Sequence, residues 1–154
     1  MRVTRATRRH RVHLGFLPIT AFTTFLAVAT FIYWDRFDRD HVAFWLWTGL
    51  YVSTPLLVPL AWLRNRSTDP GTLEADDRYL PRRVRSILKA TGLLQFAIAA
   101  VLLASPSTMV DIWPWALTSL GAATLGAWFA LPAVTAFMMG VDGRWSAIRI
   151  TLES

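Results

Sequence analysis

The stretch that decides the fold is residues 113–140, WPWALTSLGAATLGAWFALPAVTAFMMG, which carries no charged side chain. On a helix with 3.6 residues per turn, its small and bulky side chains fall on opposite faces. Separation of small from bulky residues suits a helix in lipid, because small residues let neighbouring backbones approach. Such a helix is about 42 Å long against a hydrocarbon core of ~30 Å, so we expect it to tilt, or to kink or end at Pro132. The small face comprises Ala116, Ser119, Ala122, Ala123, Gly126, Ala127, Ala130 and Ala133.

Three more apolar segments of span length precede this one, at residues 14–34, 42–63 and 86–104. Each is long enough for a transmembrane helix. The sequence therefore predicts an all-α fold, a four-transmembrane-helix bundle in a single domain. Pro55 and Pro59 predict a bend in the second span.

The charged residues lie in the tails and loops between these spans. We expect a basic tail at residues 1–13, a polar loop at 64–85 and a second tail at 141–154. Of the 16 Lys and Arg, 14 belong to the tails and to the connection counted from Arg64 through Lys89 at the start of the third span, and two lie in the first short loop. The positive-inside rule then places both termini in the cytoplasm. Tryptophan at the predicted outer boundary agrees with this orientation. The use of 15 Arg and one Lys together with abundant Ala is associated with GC-rich bacterial genomes, so we expect the plasma membrane of a bacterium.

The first span has an alternative interpretation as a cleaved signal peptide. A basic segment precedes it, and Ala27-Val28-Ala29 matches a cleavage site. The apolar run continues to Trp34, which is longer than the core of a typical signal peptide. We expect an uncleaved anchor.

Few polar side chains lie deep in the predicted spans. Gln95 is the most polar of them, and it defines two hypotheses. In the first it forms a ligand pocket with Thr24, Ser53 and Thr124. In the second it makes an interhelical hydrogen bond, which an amide in lipid needs whatever the function. We favour the second hypothesis.

No pattern of catalytic residues, cofactor-binding residues or metal ligands emerges from the sequence. The chain has no Cys, which excludes disulfides, thiolate zinc sites and cysteine nucleophiles. The three His lack metal-ligand spacing. A hydrolytic or divalent-ion site is the weaker alternative for the carboxylates expected on the outer face, where arginines are interleaved with them. These carboxylates are Asp35, Asp38, Asp40 and Asp111.

The net charge of +6 could indicate a nucleic-acid partner in a soluble protein. Here the charges alternate with long apolar runs, so anionic lipid headgroups explain them with fewer assumptions, and we expect no nucleic acid. The predicted headgroup contacts precede the third span. They are Arg82, Arg83, Arg85 and Lys89.

Several motifs resemble a group of uncharacterised multi-span integral membrane proteins of actinobacteria. These are FWLWTGLYVSTPLLVPLAWLRNRSTDP, LPRRVR, WPWALTSL followed by GAWFALP, and GRWSA. Longer members of the group carry a further helix pair upstream. The chain departs from the group at Ser119, where Pro is usual, and at Ala123, where an intramembrane Arg is expected. The resemblance implies location and architecture only.

These observations favour a non-enzymatic accessory protein that associates with itself or with a larger membrane complex through its small-residue helix faces. The eight-residue small face exceeds what one neighbouring helix in a hairpin requires. The alternative is a small transporter or lipid-binding protein with a polar pocket at the membrane midplane.

Overall fold

The fold consists of helices, as expected. The computed structural model describes residues 13–65 and 78–145. The predicted tail before residue 13, the loop at 66–77 and the tail after 145 lie outside these residues. The helices are α1 (His13–Ile32), α2 (Val42–Asn65), α3 (Arg82–Ala104), α4 (Pro106–Ile112) and α5 (Ser119–Asp142). Within the described residues, three helices are long and apolar enough to cross a membrane, over Val42–Arg64, Arg82–Ala104 and Ser119–Asp142, and a shorter apolar helix covers Phe16–Ile32. The all-α class is therefore confirmed, with several helices of membrane-span character.

The four long helices pack in the spatial order α2, α1, α5, α3. Helix α5 makes its most extensive contact with α3 and its next with α1, and α1 in turn packs against α2. Helix α5 therefore lies inside the row. Helix α2 is at one edge, with α1 as its main neighbour.

The contact between α3 and α5 brings their backbones together at three levels. A β-carbon added to Gly92 would lie 2.6 Å from the carbonyl oxygen of Ala133. The same addition at Gly126 would lie 2.9 Å from the carbonyl oxygen of Ala99, and at Gly140 it would lie 2.8 Å from that of Arg85. Each step of seven residues along α3 is thus matched by seven residues back along α5. A seven-residue repeat is typical of helices that wind around each other in a left-handed supercoil.

The small face of α5 is filled by its neighbours within the chain. Large aromatic side chains join the helices beside it. Phe22 of α1 packs edge-on against Trp128 with ring centroids 5.1 Å apart, and Phe25 packs against Phe96 of α3 at 5.8 Å. Five alanines of the face have 0% exposure: Ala122, Ala123, Ala127, Ala130 and Ala133.

The fourth predicted span begins later than expected, because residues 113–118 are not helical. Pro114 has no N–H to donate, and it disfavours the helical conformation at Trp113, whose φ and ψ are −72° and 140°. The oxygen Oγ1 of Thr118 then caps α5 by accepting a hydrogen bond from the Gly121 N–H at 3.0 Å. The prediction that Ala116 belongs to the helical face is wrong. Ala116 lies in the non-helical segment, and both it and Ser119 are exposed.

Other boundaries also move. The predicted loop after the third span contains α4, and α3 begins at Arg82, directly after Pro81 in the N-cap position. Helix α2 continues through Pro55 and Pro59 to Asn65. Helix α5 continues through Pro132 to Asp142, so this proline does not end the helix.

The close approach of α3 and α5 gives a matched pair of glycine substitutions. We expect Gly92→Ala to lower the free energy of unfolding by about 1 to 3 kcal/mol, because its new methyl group meets backbone atoms of α5. Gly49→Ala is the control, since nothing lies within 4 Å of the added β-carbon. There the better helix propensity of Ala should leave stability unchanged or raise it by up to about 1 kcal/mol. Reversible unfolding in detergent micelles, followed by circular dichroism, measures both. Equal losses would contradict the close contact.

Candidate functional site

The charged residues of the described chain lie at the two ends of the helix row. We call one the basic end: it contains the starts of α1 and α3 and the ends of α2 and α5. The other, the aromatic end, contains residues 30–47 and 105–120. Side chains that could take part in chemistry or bind a polar ligand therefore lie mainly at these two ends.

At the basic end, Arg85 binds the C-terminus of α5. Its Nε donates to the carbonyl oxygen of Gly140 at 3.2 Å, and a terminal guanidinium nitrogen donates to that of Val141 at 2.9 Å. These carbonyls belong to the last turn of the helix, which lacks partners along its own axis. A cation there also interacts favourably with the helix dipole. Arg85 is thus a capping residue that joins α3 to α5.

The chain turns sharply beside this guanidinium. Gly143 has φ of 68°, a left-handed conformation that favours glycine at the end of a helix. A β-carbon there would lie 2.5 Å from Nε of Arg85. The turn is held further by an isolated antiparallel bridge between Tyr79 and Arg144, with the Leu80 N–H donating to the Gly143 carbonyl oxygen at 2.8 Å. The segment before α3 and the segment after α5 are therefore fastened together.

An ion pair lies next to the turn. Nε of Arg144 is 2.5 Å from one carboxylate oxygen of Asp142, and a terminal nitrogen is 3.0 Å from the other. The Asp142 side chain is only 5% exposed. This two-point geometry is the strong form of an Arg–carboxylate pair. Sequence reasoning missed it, although Gly143 just beyond an apolar run is a recognisable helix-end signal.

The four predicted headgroup contacts separate into two groups. Arg82 and Arg83 are exposed in the first turn of α3. Arg85 is engaged with α5, which corrects its assignment as a headgroup contact. Lys89 is half-buried, and its stem borders Gly140. A helix end in the protein competes with the lipid for these cations, and sequence alone did not reveal the helix end.

Aromatic rings pack closely at the aromatic end. Trp34 packs edge-on against Phe44 at 5.0 Å, and Trp113 packs against Trp115 at 5.3 Å. Two indole N–H groups hold loops and helices together: that of Trp45 donates to the Arg39 carbonyl at 2.9 Å, and that of Trp47 donates to Oγ1 of Thr30 at 3.2 Å. This end is joined by indole hydrogen bonds as well as by apolar contact.

The acidic residues at the same end are exposed. The carboxylate of Asp38 accepts a hydrogen bond from the Asp40 N–H at 3.2 Å and lies 3.3 Å from Nε2 of His41. In residues 13–65 and 78–145, no group of three or more His, Asp or Glu could hold a metal ion. The hypothesis of a hydrolytic or divalent-ion site at these carboxylates thus gains no support from their geometry.

The residues predicted for a midplane pocket bind their own helices. Thr24 donates to the Thr20 carbonyl at 2.7 Å, Ser53 to that of Leu50 at 3.2 Å, and Thr124 to that of Leu120 at 2.9 Å. Ser53 also lies on α2, at the opposite edge of the row from the α3 helix that carries Gln95. The structure does not bring this set together into one pocket.

Gln95 lacks the hydrogen bond that we favoured. Its Oε1 is buried and has no partner among the described residues. The register of α3 and α5 puts Gln95 level with Ala130, where the small face of α5 offers no side-chain donor. The close packing that small residues permit therefore leaves this oxygen unpaired. The buried Oγ1 of Thr48 and Nε1 of Trp113 also have no partner in the described part of the chain.

A groove does exist, but at the basic end between α1 and α2. Its volume is about 160 Å³. The hydroxyl of Thr20, the one side-chain polar group besides the Trp62 indole, donates to the carbonyl of Phe16 at 2.8 Å. The lining is Phe16, Leu17, Thr20, Pro59, Trp62 and Leu63.

Comparison with protein families, with curated proteins and with solved structures gave no significant match. The resemblance to actinobacterial membrane proteins therefore stays a prediction from the motifs.

The role of Arg85 can be separated from that of its exposed neighbour. We expect Arg85→Gln to lower the free energy of unfolding by about 1 to 2 kcal/mol, because α5 loses a charged partner for its last carbonyls. Arg83→Gln removes the same charge from an exposed position and should change stability by less than about 0.5 kcal/mol. Thermal unfolding of both variants in one detergent makes the comparison. A larger effect at Arg83 would contradict the capping role.

Proposed function

We propose that this chain is a non-enzymatic accessory protein of the bacterial plasma membrane. In this proposal it crosses the bilayer four times, keeps both termini in the cytoplasm and associates with a second copy of itself through α2. The observation that carries the proposal is the exposure of α2, a helix of span length. Five of its leucines are more than half exposed: Leu46, Leu50, Leu56, Leu57 and Leu60. Different residues support the number of spans, the orientation and the choice of α2 as the surface for self-association.

The position of α1 supports a fourth span. It lies between α2 and α5, both of which have the length and composition of a span. It contacts α2 near both ends: Thr20 and Pro59 line one groove, and Thr30 and Trp47 share a hydrogen bond. With 20 residues it extends about 30 Å, the thickness of the hydrocarbon core. In this proposal α1 therefore crosses the same layer as its two neighbours.

Charge distribution supports the orientation. An even number of spans puts both termini on one side, together with the start of α3 and the end of α5. That side carries Arg82, Arg83 and Lys89, whereas the connection between α1 and α2 carries Arg36 and Arg39 among three aspartates. Lys and Arg concentrate in cytoplasmic segments. The basic end is therefore the cytoplasmic end in this proposal.

Association through the small face of α5, the surface favoured by the sequence, would require the chain to unpack. Five alanines of that face are completely covered by α3 and α1. The small residues are used inside the chain, where they let three helices meet. We therefore assign association to a different face.

By helix spacing, Gly49 and Ser53 share one face of α2, and Gly49 is exposed. Nothing lies within 4 Å of a β-carbon built at Gly49, although glycine inside a helix costs about 1 kcal/mol relative to alanine. Ser53 follows one turn later, and a small residue at each of two successive turns lets two membrane helices approach closely. Leu46 and Leu56 flank this pair and are 69% and 63% exposed. A second copy, meeting α2 with the same face, would cover it.

Cysteine crosslinking tests this association without background, since the natural sequence has no Cys. We expect Gly49→Cys to form a disulfide-linked dimer on mild oxidation in native membranes. Leu94→Cys is the matched control, because Leu94 is 64% exposed on α3, at the other edge of the row. Equal dimer at both positions, or none at Gly49, would contradict the proposal. A disulfide to a different protein would contradict self-association and favour a larger complex.

Orientation can be read from thiol labelling in intact cells. We expect a membrane-impermeant maleimide to label Arg39→Cys before lysis and Arg83→Cys only after it, because the two positions lie at opposite ends of the row. Both residues are exposed, so access within the protein is matched. The reverse pattern would invert the topology, and labelling of both before lysis would contradict a spanning α2 between the two positions.

A further inference from the structure

The groove between α1 and α2 at the basic end is apolar and has no occupant from the described chain. Its walls face outward as well as inward: Leu17 is 45% exposed and Leu63 is 44% exposed. We propose that this groove binds an acyl chain of an anionic phospholipid, with the lipid headgroup next to Arg64. The site is distinct from the predicted contacts at the start of α3.

The groove results from the sequence of the two helices. Farther along, Phe22 and Tyr51 fill the space between α1 and α2, with ring centroids 6.3 Å apart. Toward the basic end their place is taken by the smaller Thr20 and Pro59. Two helices separated by a pair of rings at one level and by small side chains at the next leave a space at the second level.

The chemistry of the lining favours a hydrocarbon ligand. The hydroxyl of Thr20 is already bonded to its own helix, so it has no proton left to donate to a ligand. An apolar cavity of about 150 Å³ stays free of water and accepts a ligand the size of benzene. A groove of about 160 Å³ can therefore hold a short stretch of acyl chain. A helix, about 10 Å across with its side chains, is too wide to enter.

Charge determines the class of lipid. Arg64 directly follows Leu63 of the groove and is exposed. At the opposite end, the arginines of the first loop are interleaved with Asp35, Asp38 and Asp40. Basic segments at a membrane surface attract anionic headgroups. An anionic lipid bound here would place its acyl chain against the apolar lining and its headgroup next to Arg64.

Photocrosslinking tests the site on the full-length protein reconstituted in phosphatidylcholine vesicles. The probe is a trace of phosphatidylglycerol carrying a diazirine on its acyl chain. We expect labelling of residues 16–20 and 59–63 to exceed that of Leu93 and Leu94, which are 59% and 64% exposed on α3. The same diazirine on phosphatidylcholine should label the groove less. Equal labelling of groove and α3, or of the groove by both lipids, would overturn the proposal.

Two variants separate chain from headgroup. Thr20→Phe fills the groove and should abolish the excess labelling. Arg64→Gln leaves the packing unchanged and should reduce labelling by phosphatidylglycerol about fivefold, the effect of one lost charge near the surface. Arg36→Gln removes one charge at the opposite end and should have no effect. A loss that is equal for Arg64→Gln and Arg36→Gln would overturn the headgroup assignment. Gly49 lies ten residues, about 15 Å, along α2 from Pro59 of the groove, so its crosslinking to a second copy is an independent result.

Discussion

The rest of the structure depends on the close contact of α3 with α5. At Gly92, Gly126 and Gly140 there is no room for even one more carbon atom between the two helices, and the three contacts follow one another in a single seven-residue register. In lipid, apolar side chains gain little by meeting each other rather than acyl chains, so helices associate through such close backbone contact. The position of α5 follows from this pairing. With α3 on one side of its small face, α5 presents Trp128 to α1, and α1 in turn carries α2.

The polar groups of the bundle have few hydrogen-bond partners outside their own helices. A hydroxyl in a helix can donate to a carbonyl one turn back, and Thr24, Thr30 and Thr124 do so. The carbonyl oxygen of the Gln95 amide can only accept, and beside the alanines of α5 it has no donor among the described residues. At the basic end the last carbonyl oxygens of α5 need hydrogen-bond donors, and the guanidinium of Arg85 supplies them. Because the hydroxyl groups bond to their own helices, they do not form the midplane pocket with Gln95 that the sequence suggested.

Small residues thus have two different roles in this chain. On α5 they are consumed by internal contacts, so their number reflects two neighbours, α3 and α1, rather than a partner outside the chain. On α2, no other helix of the described chain lies within 4 Å of a β-carbon built at Gly49. The role of a small residue in this chain therefore depends on which helix the fold places next to it. Because the small face of α5 is buried in the assembled bundle, we assign self-association to α2. The type of protein that we propose is the same.

The sequence by itself determined the all-α class, the approximate position of the long apolar helices and the concentration of Lys and Arg in their connections, because each depends on composition and spacing along the chain. It also contained local signals that were read incompletely: Pro114 and Thr118 start α5 late, and Gly143 ends it. Only the tertiary structure decided that α5 lies between α3 and α1, that Arg85 caps α5 and that a groove opens beside Pro59. Those features depend on the register between helices far apart in sequence, and an almost uniformly apolar helix carries no polar stripe from which that register could be read.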